Sequence, residues 1–181
     1  KGYGFGPRHL DFHPTELWVY VSIERQNQLQ MFRMPGDRLE GAPAYSRSLL
    51  AEPHNVRPRQ LGGPIHVHPN GRAVYVSNRA DNTVDYEGQR VFGGGENSIA
   101  VFAIDSRSGE PTLIQRIDTR SIHVRTFALD PSGRILVAAS ILSLPGRDGT
   151  RVTNVPAGLS VFRVAGDGKL DFVRKYDVDA S

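Results

Sequence analysis

Apolar and polar residues alternate in short runs along most of the chain, the period of a half-buried strand. Three segments share one template: an alternating stretch, a turn built on proline, and a second apolar stretch. They run from Arg8 to Pro14 then Leu17 to Ser22, from Ile65 to Pro69 then Ala73 to Ser77, and from Thr126 to Pro131 then Ile135 to Ser140. The turns read His13-Pro14-Thr15-Glu16, His68-Pro69-Asn70-Gly71 and Asp130-Pro131-Ser132-Gly133. Proline presets one turn position and Gly71 or Gly133 supplies a permissive one, so each predicts a tight hairpin connection. Third strands follow at Gln28–Arg33, Ser98–Ile104 and Leu159–Val164, and fourth strands at Ala44–Leu50, Thr112–Ile117 and Leu170–Tyr176. Turn signals separate them at Pro35-Gly36-Asp37, Ser106 to Gly109 and Gly166 to Gly168.

Four short antiparallel strands, repeated, is the pattern of a β-propeller blade. The expectation is an all-β fold with about three four-stranded blades, over residues 6–51, 63–118 and 123–178, in one partial propeller domain spanning 1–181. The turn prolines recur at spacings of 69 − 14 = 55 and 131 − 69 = 62 residues. A compact blade takes roughly 40–45 residues, so the excess is read as inserted loops at Glu52–Gly63, Ala80–Asn97 and Leu142–Ala157. A β-sandwich is the competing fold, because alternation alone does not separate the two; the in-register recurrence of turn and strand favours the propeller. Closed propellers need about 4–8 blades, so three would leave sheet faces open. A piece of a longer propeller, or a part-ring closed by self-association, is therefore expected. The chain starts without Met at a Gly-rich lead-in and stops after Val178-Asp179-Ala180-Ser181.

Composition narrows the chemistry. Glycine (19) and proline (12) make up about one residue in six, which disfavours long helices. No apolar run approaches the ~18 residues of a membrane span, and no signal peptide opens the chain, so no membrane partner is expected. With no cysteine there is no disulfide, thiolate metal site or cysteine nucleophile. The net charge of +3 comes from scattered single basic residues, which argues against nucleic acid as a partner but suits a few arginines aimed at a small anion. Gly93-Gly94-Gly95 lacks the following Lys-Ser or Lys-Thr of a phosphate loop and is read as closing a flexible insertion. No Gly-x-Ser-x-Gly elbow is present. Trp18, Tyr20 and Tyr75 alternate within strands and are read as packing residues.

Aligning the repeats on their turn prolines picks out the candidate site. Six residues before the proline lie Arg8, Gly63 and Arg125; ten after it lie Glu24, Arg79 and Ile141. Equivalent positions face the same part of a propeller, so Arg8, Glu24, Arg79 and Arg125 should gather at one mouth of the channel, at strand ends where ligand groups commonly sit. Solvated loop charges or inter-blade ion pairs are the plain alternative. A lone carboxylate among arginines suits a site that binds an anion and moves a proton. His9, beside Arg8, is the better site histidine. His66 and His68 share a strand face compatible with a metal pair, but no third ligand has convincing spacing, so no metal or cofactor is expected. His66 is kept as a substrate-binding candidate, and His13 is read as a turn residue.

Taken together, Gly6-Pro7-Arg8-His9, Phe12-His13-Pro14, Val19 to Glu24, Val74 to Arg79 and Asn97 to Phe102 resemble the seven-bladed lactonase propeller family, and Thr126 to Gly133 and Gly168 to Phe172 extend the match. That family includes bacterial 6-phosphogluconolactonases and fungal carboxymuconate lactonising enzymes. The resemblance covers nearly the whole chain and would make it the later blades of a seven-bladed ring, although a closing strand after Tyr176 is unmatched. In the lactonising members the active site is assigned to one histidine, two arginines and a glutamate. The motifs carry Arg8, Glu24 and Arg79 onto three of these as catalytic residues, and the family's histidine comes from an earlier blade and has no match here; His9, Arg125 and His66, from the register and histidine reading above, stand as substrate-binding candidates. The resemblance implies hydrolysis, or the reverse cyclisation, of a small anionic lactone such as 6-phosphogluconolactone. A non-catalytic binding or interaction scaffold, or an inactive fragment of a lactonase, is the alternative. The compartment is left open, since any targeting segment would precede Lys1.

Overall fold

At each proline turn the chain reverses and pairs with itself, and a computed structural model, describing residues 6–178, shows the result as three four-stranded antiparallel sheets. The first holds β1 (Pro7–Phe12), β2 (Trp18–Ile23), β3 (Gln28–Arg33) and β4 (Tyr45–Ser48) in that order. In the second, β5 (Gln60–Val67) and β6 (Ala73–Ala80) are followed by an inserted hairpin, β7 (Thr83–Tyr86) and β8 (Gln89–Phe92), before β9 (Ser98–Ile104) and β10 (Pro111–Asp118). The third repeats that plan with β11 (Ile122–Leu129), β12 (Ile135–Leu142), a hairpin of β13 (Leu144–Asp148) and β14 (Arg151–Val155), then β15 (Gly158–Val164) and β16 (Leu170–Asp177). The Gly-rich lead-in and the last three residues lie outside the described residues.

Alternation along the second sheet decides how the sheets stack. Val74, Val76, Ala100 and Phe102 turn toward Trp18, Tyr20, Leu29 and Met31 of the first sheet. Their neighbours Ala73, Tyr75, Ile99 and Val101 turn toward Val124, Phe127, Leu136 and Phe162 of the third. Both faces of the middle sheet are thus buried, and every residue of β6 is buried, which is why its first half, Ala73 to Val76, is an unbroken run of hydrophobic residues. The first strands β1, β5 and β11 lie side by side, while the fourth strands meet sparsely, where Arg47 reaches Glu110 and the Pro111 carbonyl and where Gln115 exchanges hydrogen bonds with the Leu170 backbone. That wedge, tight at the inner strands and open at the outer ones, is the radial packing of propeller blades.

Repeated polar contacts fix the angle between sheets. His13 Nε2 lies 2.9 Å from the Gly71 carbonyl, and His68 Nε2 lies 2.9 Å from the Gly133 carbonyl. The Tyr20 hydroxyl donates to the Gly109 carbonyl at 2.8 Å, and the Tyr75 hydroxyl to that of Gly168 at 2.9 Å. The first and second blades therefore each hook a histidine and a tyrosine onto glycine turns of the next. Tyr20 and Tyr75 are completely buried, and burial raises both phenol pKa values.

Two stretches read as loops are corrected by the structure. Residues 80–97 and 142–157 contain the hairpins β7–β8 and β13–β14, which turn at Glu87-Gly88 and Gly149-Thr150 and touch where β8 meets β13, with Arg147 4.4 Å over the Tyr86 ring. The glycines closing the first of these are not a loose end. Gly93 donates to the Asn82 carbonyl at 2.7 Å, and a β-carbon on Gly95 would come within 2.5 Å of Ala80.

Candidate functional site

A β-bulge stands at the same place in every inner strand. In β1 pairing jumps from Pro7 to His9, leaving Arg8 unpaired; in β11 it jumps from Val124 to Thr126, leaving Arg125; in β5 it jumps from Gly62 to Ile65. A bulge re-aims the side chain it releases, and here it turns Arg8 toward the end of β2. Glu24 opens a short 3-10 turn there, Glu24–Gln26, and its backbone N–H donates to the Gly6 carbonyl at 2.8 Å.

Arg8, Glu24 and Arg79 meet. Arg8 Nη1 and Arg79 Nη2 both donate to Oε1 of Glu24, the first within the blade and the second across to the next. Among the described residues no group donates to Oε2. The Arg79 side chain is only 1% exposed, that of Glu24 18% and that of Arg8 33%, so the cluster grades from interior to solvent. Burial pushes the Glu24 carboxyl upward, but the hydrogen bonds and charges of Arg8 and Arg79 outweigh it and hold the group below the ordinary glutamate range. Burial also lowers Arg79, helped by the Arg8 charge and opposed by Glu24.

The other candidates divide. His9 sits half-buried beside the cluster, its pKa lowered by burial and then by the charges of Arg8 and Arg79. Arg125 is exposed and, among the described residues, has no hydrogen bond or ion pair, yet its charge acts on His9, Arg79 and His123. His66 is not brought to Glu24. It lies further along β5, its Nδ1 3.5 Å from Asp11 Oδ2 and its ring edge-to-face with Phe127 at 5.1 Å. His68, the other half of the metal pair considered above, has its Nε2 engaged by the Gly133 carbonyl. Ile141, third in register with Glu24 and Arg79, is 54% exposed.

Sequence reasoning missed three members of the site. His123 Nε2 lies 3.3 Å from Arg79 Nη1, and its Nδ1 lies 3.2 Å from Asp81 Oδ2. Asp81 is gripped in turn by the guanidinium fork of Arg59, Nε to Oδ1 at 2.5 Å and Nη2 to Oδ2 at 2.7 Å. One signal for His123 was present. It stands eight residues before its turn proline, as Gly6 does before Pro14, and both adopt left-handed backbone, with φ of 60° and 62°.

Residues 2–143 match the family model described as lactonase, 7-bladed beta-propeller. The chain is 31% identical over 164 residues to a 6-phosphogluconolactonase of Bacillus subtilis, covering 87% of this chain and 42% of that protein. It is 29% identical over 140 residues to one of Formosa agariphila, covering 77% and 35%. Among solved structures, the periplasmic gluconolactonase of Pseudomonas aeruginosa superposes with a TM-score of 0.71 at 24% identity, over 97% of this chain and 40% of that one. A Lactobacillus plantarum protein does so with a TM-score of 0.70 at 24% identity, over 95% and 42%. The chain thus spans about two fifths of the length of the relatives it matches.

Proposed function

The chain belongs to the lactonase family of seven-bladed β-propellers, and from that premise we propose that Arg8, Glu24 and Arg79 form the hydrolytic site for a small anionic lactone, 6-phosphogluconolactone being the substrate that the named relatives favour. One observation carries the reading: two arginines from different blades hold Oε1 of a single carboxylate and leave Oε2 unclaimed among the described residues. Oε2 is the acceptor for a proton from water. The water oxygen bonds to the lactone carbonyl carbon, the carbonyl oxygen takes negative charge, and Arg8 and Arg79 stabilise it. The ring C–O bond then breaks, and the leaving alkoxide takes the proton back from Glu24, giving the open hydroxy acid. Arg125 and His9, at the solvent side, are assigned to the substrate's anionic substituent.

Because the arginines hold Glu24 below the ordinary glutamate range, it is a weak base that stays ionised well into acid. The same groups would serve cyclisation of the hydroxy acid, the reverse direction. A binding-only role is the second reading, favoured by the ion pairing that already occupies both arginines. The apolar side chains left exposed on the outer sheets, Leu10 and Phe12 on the first and Leu159 and Tyr176 on the third, are assigned to contacts with further blades or a second copy. The decisive experiment is Glu24→Gln with 6-phosphogluconolactone, followed by acid release. Turnover should fall about a hundredfold or more while binding of 6-phosphogluconate persists. Unchanged turnover would remove Glu24 from the chemistry; no turnover in either form, with product still bound, would favour the binding role.

A further inference from the structure

Arg79 and His123 are the buried side chains of the site, and only one side of that contact is used in the hydrolytic reading. An arginine has no lone pair to offer, so the 3.3 Å approach of Nη1 to His123 Nε2 is a hydrogen bond only if Nε2 is the accepting, unprotonated nitrogen. The ring proton then belongs on Nδ1, which faces Asp81 Oδ2 at 3.2 Å, close enough for attraction though not aligned as a hydrogen bond. The Arg59 fork fixes that carboxylate. The backbone is locked as well. Asn97 Oδ1 accepts from His123 N at 2.9 Å and from Ala80 N at 3.0 Å, tying the histidine to the residue that follows Arg79. His123 holds φ at 60°, a conformation that a residue with a β-carbon keeps only where its surroundings insist on it.

We infer that Asp81 and His123 are positioning residues for Arg79: the ring accepts one Nη1 hydrogen, Asp81 keeps the ring's own proton on Nδ1, and the guanidinium is thereby set to face Glu24 and the anion. The inference rests on the anion-site reading of Arg79 given above. It also makes the site sensitive to pH. The charged groups acting on His123 are Asp81 and Arg79 from β6 and its continuation, Arg125 on its own strand and Arg59 ahead of β5. Burial lowers the pKa of the ring, Asp81 opposes this, and the three arginines add to it, so the ring is neutral at pH 7. Protonation in acid would set two cations against each other and release Arg79, so anion binding should weaken as pH falls.

The test uses inorganic sulfate, whose charge is constant between pH 5 and 8, with NMR of the histidine rings. His123→Leu should weaken sulfate binding about tenfold, and His123→Gln, whose amide oxygen can accept from Nη1, should restore it to within about threefold. The Gln variant should also lose the part of the acid weakening that belongs to His123. Asp81→Asn removes the charge that supports protonation and should move the His123 midpoint to lower pH, a shift that a merely structural role would not produce. Equal losses in the Leu and Gln variants, a wild-type response to His123→Leu, or an unmoved midpoint in Asp81→Asn would overturn the proposal. If sulfate binds to no form, the anion-site reading fails, while the His123 tautomer and its midpoint, measured without ligand, still decide whether the pair is built as described.

Discussion

The two rims of the propeller are made from the same repeat and treat it in opposite ways. At the rim of the proline turns the repeat is copied: His13 and His68 reach the glycine of the next turn, and Tyr20 and Tyr75 reach the glycine that ends the next third strand's turn. At the other rim the backbone bulge is copied but the side chains are not held constant. The bulge position holds Arg8, Gly63 and Arg125, and the strand-end position holds Glu24, Arg79 and Ile141. One rim needs identical geometry at every junction, so each blade supplies the same side chains. The other, on the proposed reading, meets one asymmetric ligand, so the blades are free to differ there. Divergence within the repeat is what the proposed site predicts for its own rim. The third blade breaks the pattern on the structural side too, with Asp130 and Val137 where histidine and tyrosine stand in the others; Asp130 instead accepts from Ser132 and Ile135 of its own turn.

The strongest way to break this comparison is at a turn glycine. Gly109 has φ of 75°, and a β-carbon there would come within 2.5 Å of Met31 Cε and 2.7 Å of Trp18 Cδ2. Gly36, at the same turn of the first blade, has φ of 66° but nothing within 4 Å. Gly109→Ala should therefore cost about 2–4 kcal/mol, strain plus overpacking, and Gly36→Ala only about 1 kcal/mol of strain. Urea unfolding of both variants measures it. Equal losses would mean that the junction, as distinct from the turn, contributes little.

A smaller effect sharpens the claim of copied junctions. Tyr20→Phe and Tyr75→Phe each remove one buried hydroxyl and leave a glycine carbonyl without its donor. Each should lose about 1–2 kcal/mol, the two values agreeing within about 0.5 kcal/mol, and sulfate binding at the opposite rim should be unchanged. A marked asymmetry between the two would show that the contacts are alike in geometry but not in energy.

The contrast between rims also governs what the sequence could disclose. The blade strands were legible because burial on one or both faces forces alternation, and the turns because proline and glycine leave few other options. Arg8, Glu24 and Arg79 were legible because a charged residue at a repeated register position stands out against an apolar strand. Asp81 and Arg59 belong to segments outside the repeat, so no register pointed to them. His123 escaped because its left-handed backbone is a property of the bulged strand entry, visible only through its equivalence with Gly6. The hairpins at Thr83–Phe92 and Leu144–Val155 read as loops in the sequence because they bury little, Val91 apart. Their residues are mostly polar, Val84 is 47% exposed, and without a core face alternation carries no signal.

Those hairpins supply the smallest test, since they add contacts to the divergent rim without belonging to any blade core. Both leave from the ends of the second strands, β6 and β12, on the side of Arg79 and Ile141. They meet where β8 packs against β13, and Arg147 stacks on Tyr86 there, an exposed cation–π contact worth about 0.5–1 kcal/mol. Arg147→Ala should therefore leave the urea midpoint nearly unmoved, because the blades do not depend on the hairpins. Amide exchange should quicken in β7–β8 and β13–β14 and stay as before in β6 and β12, since opening becomes local to the pair. If exchange quickened in β6 as well, the hairpins would be part of the blade's cooperative unit, and the division between a copied scaffold and an independently varied rim would have to be redrawn at the second strand.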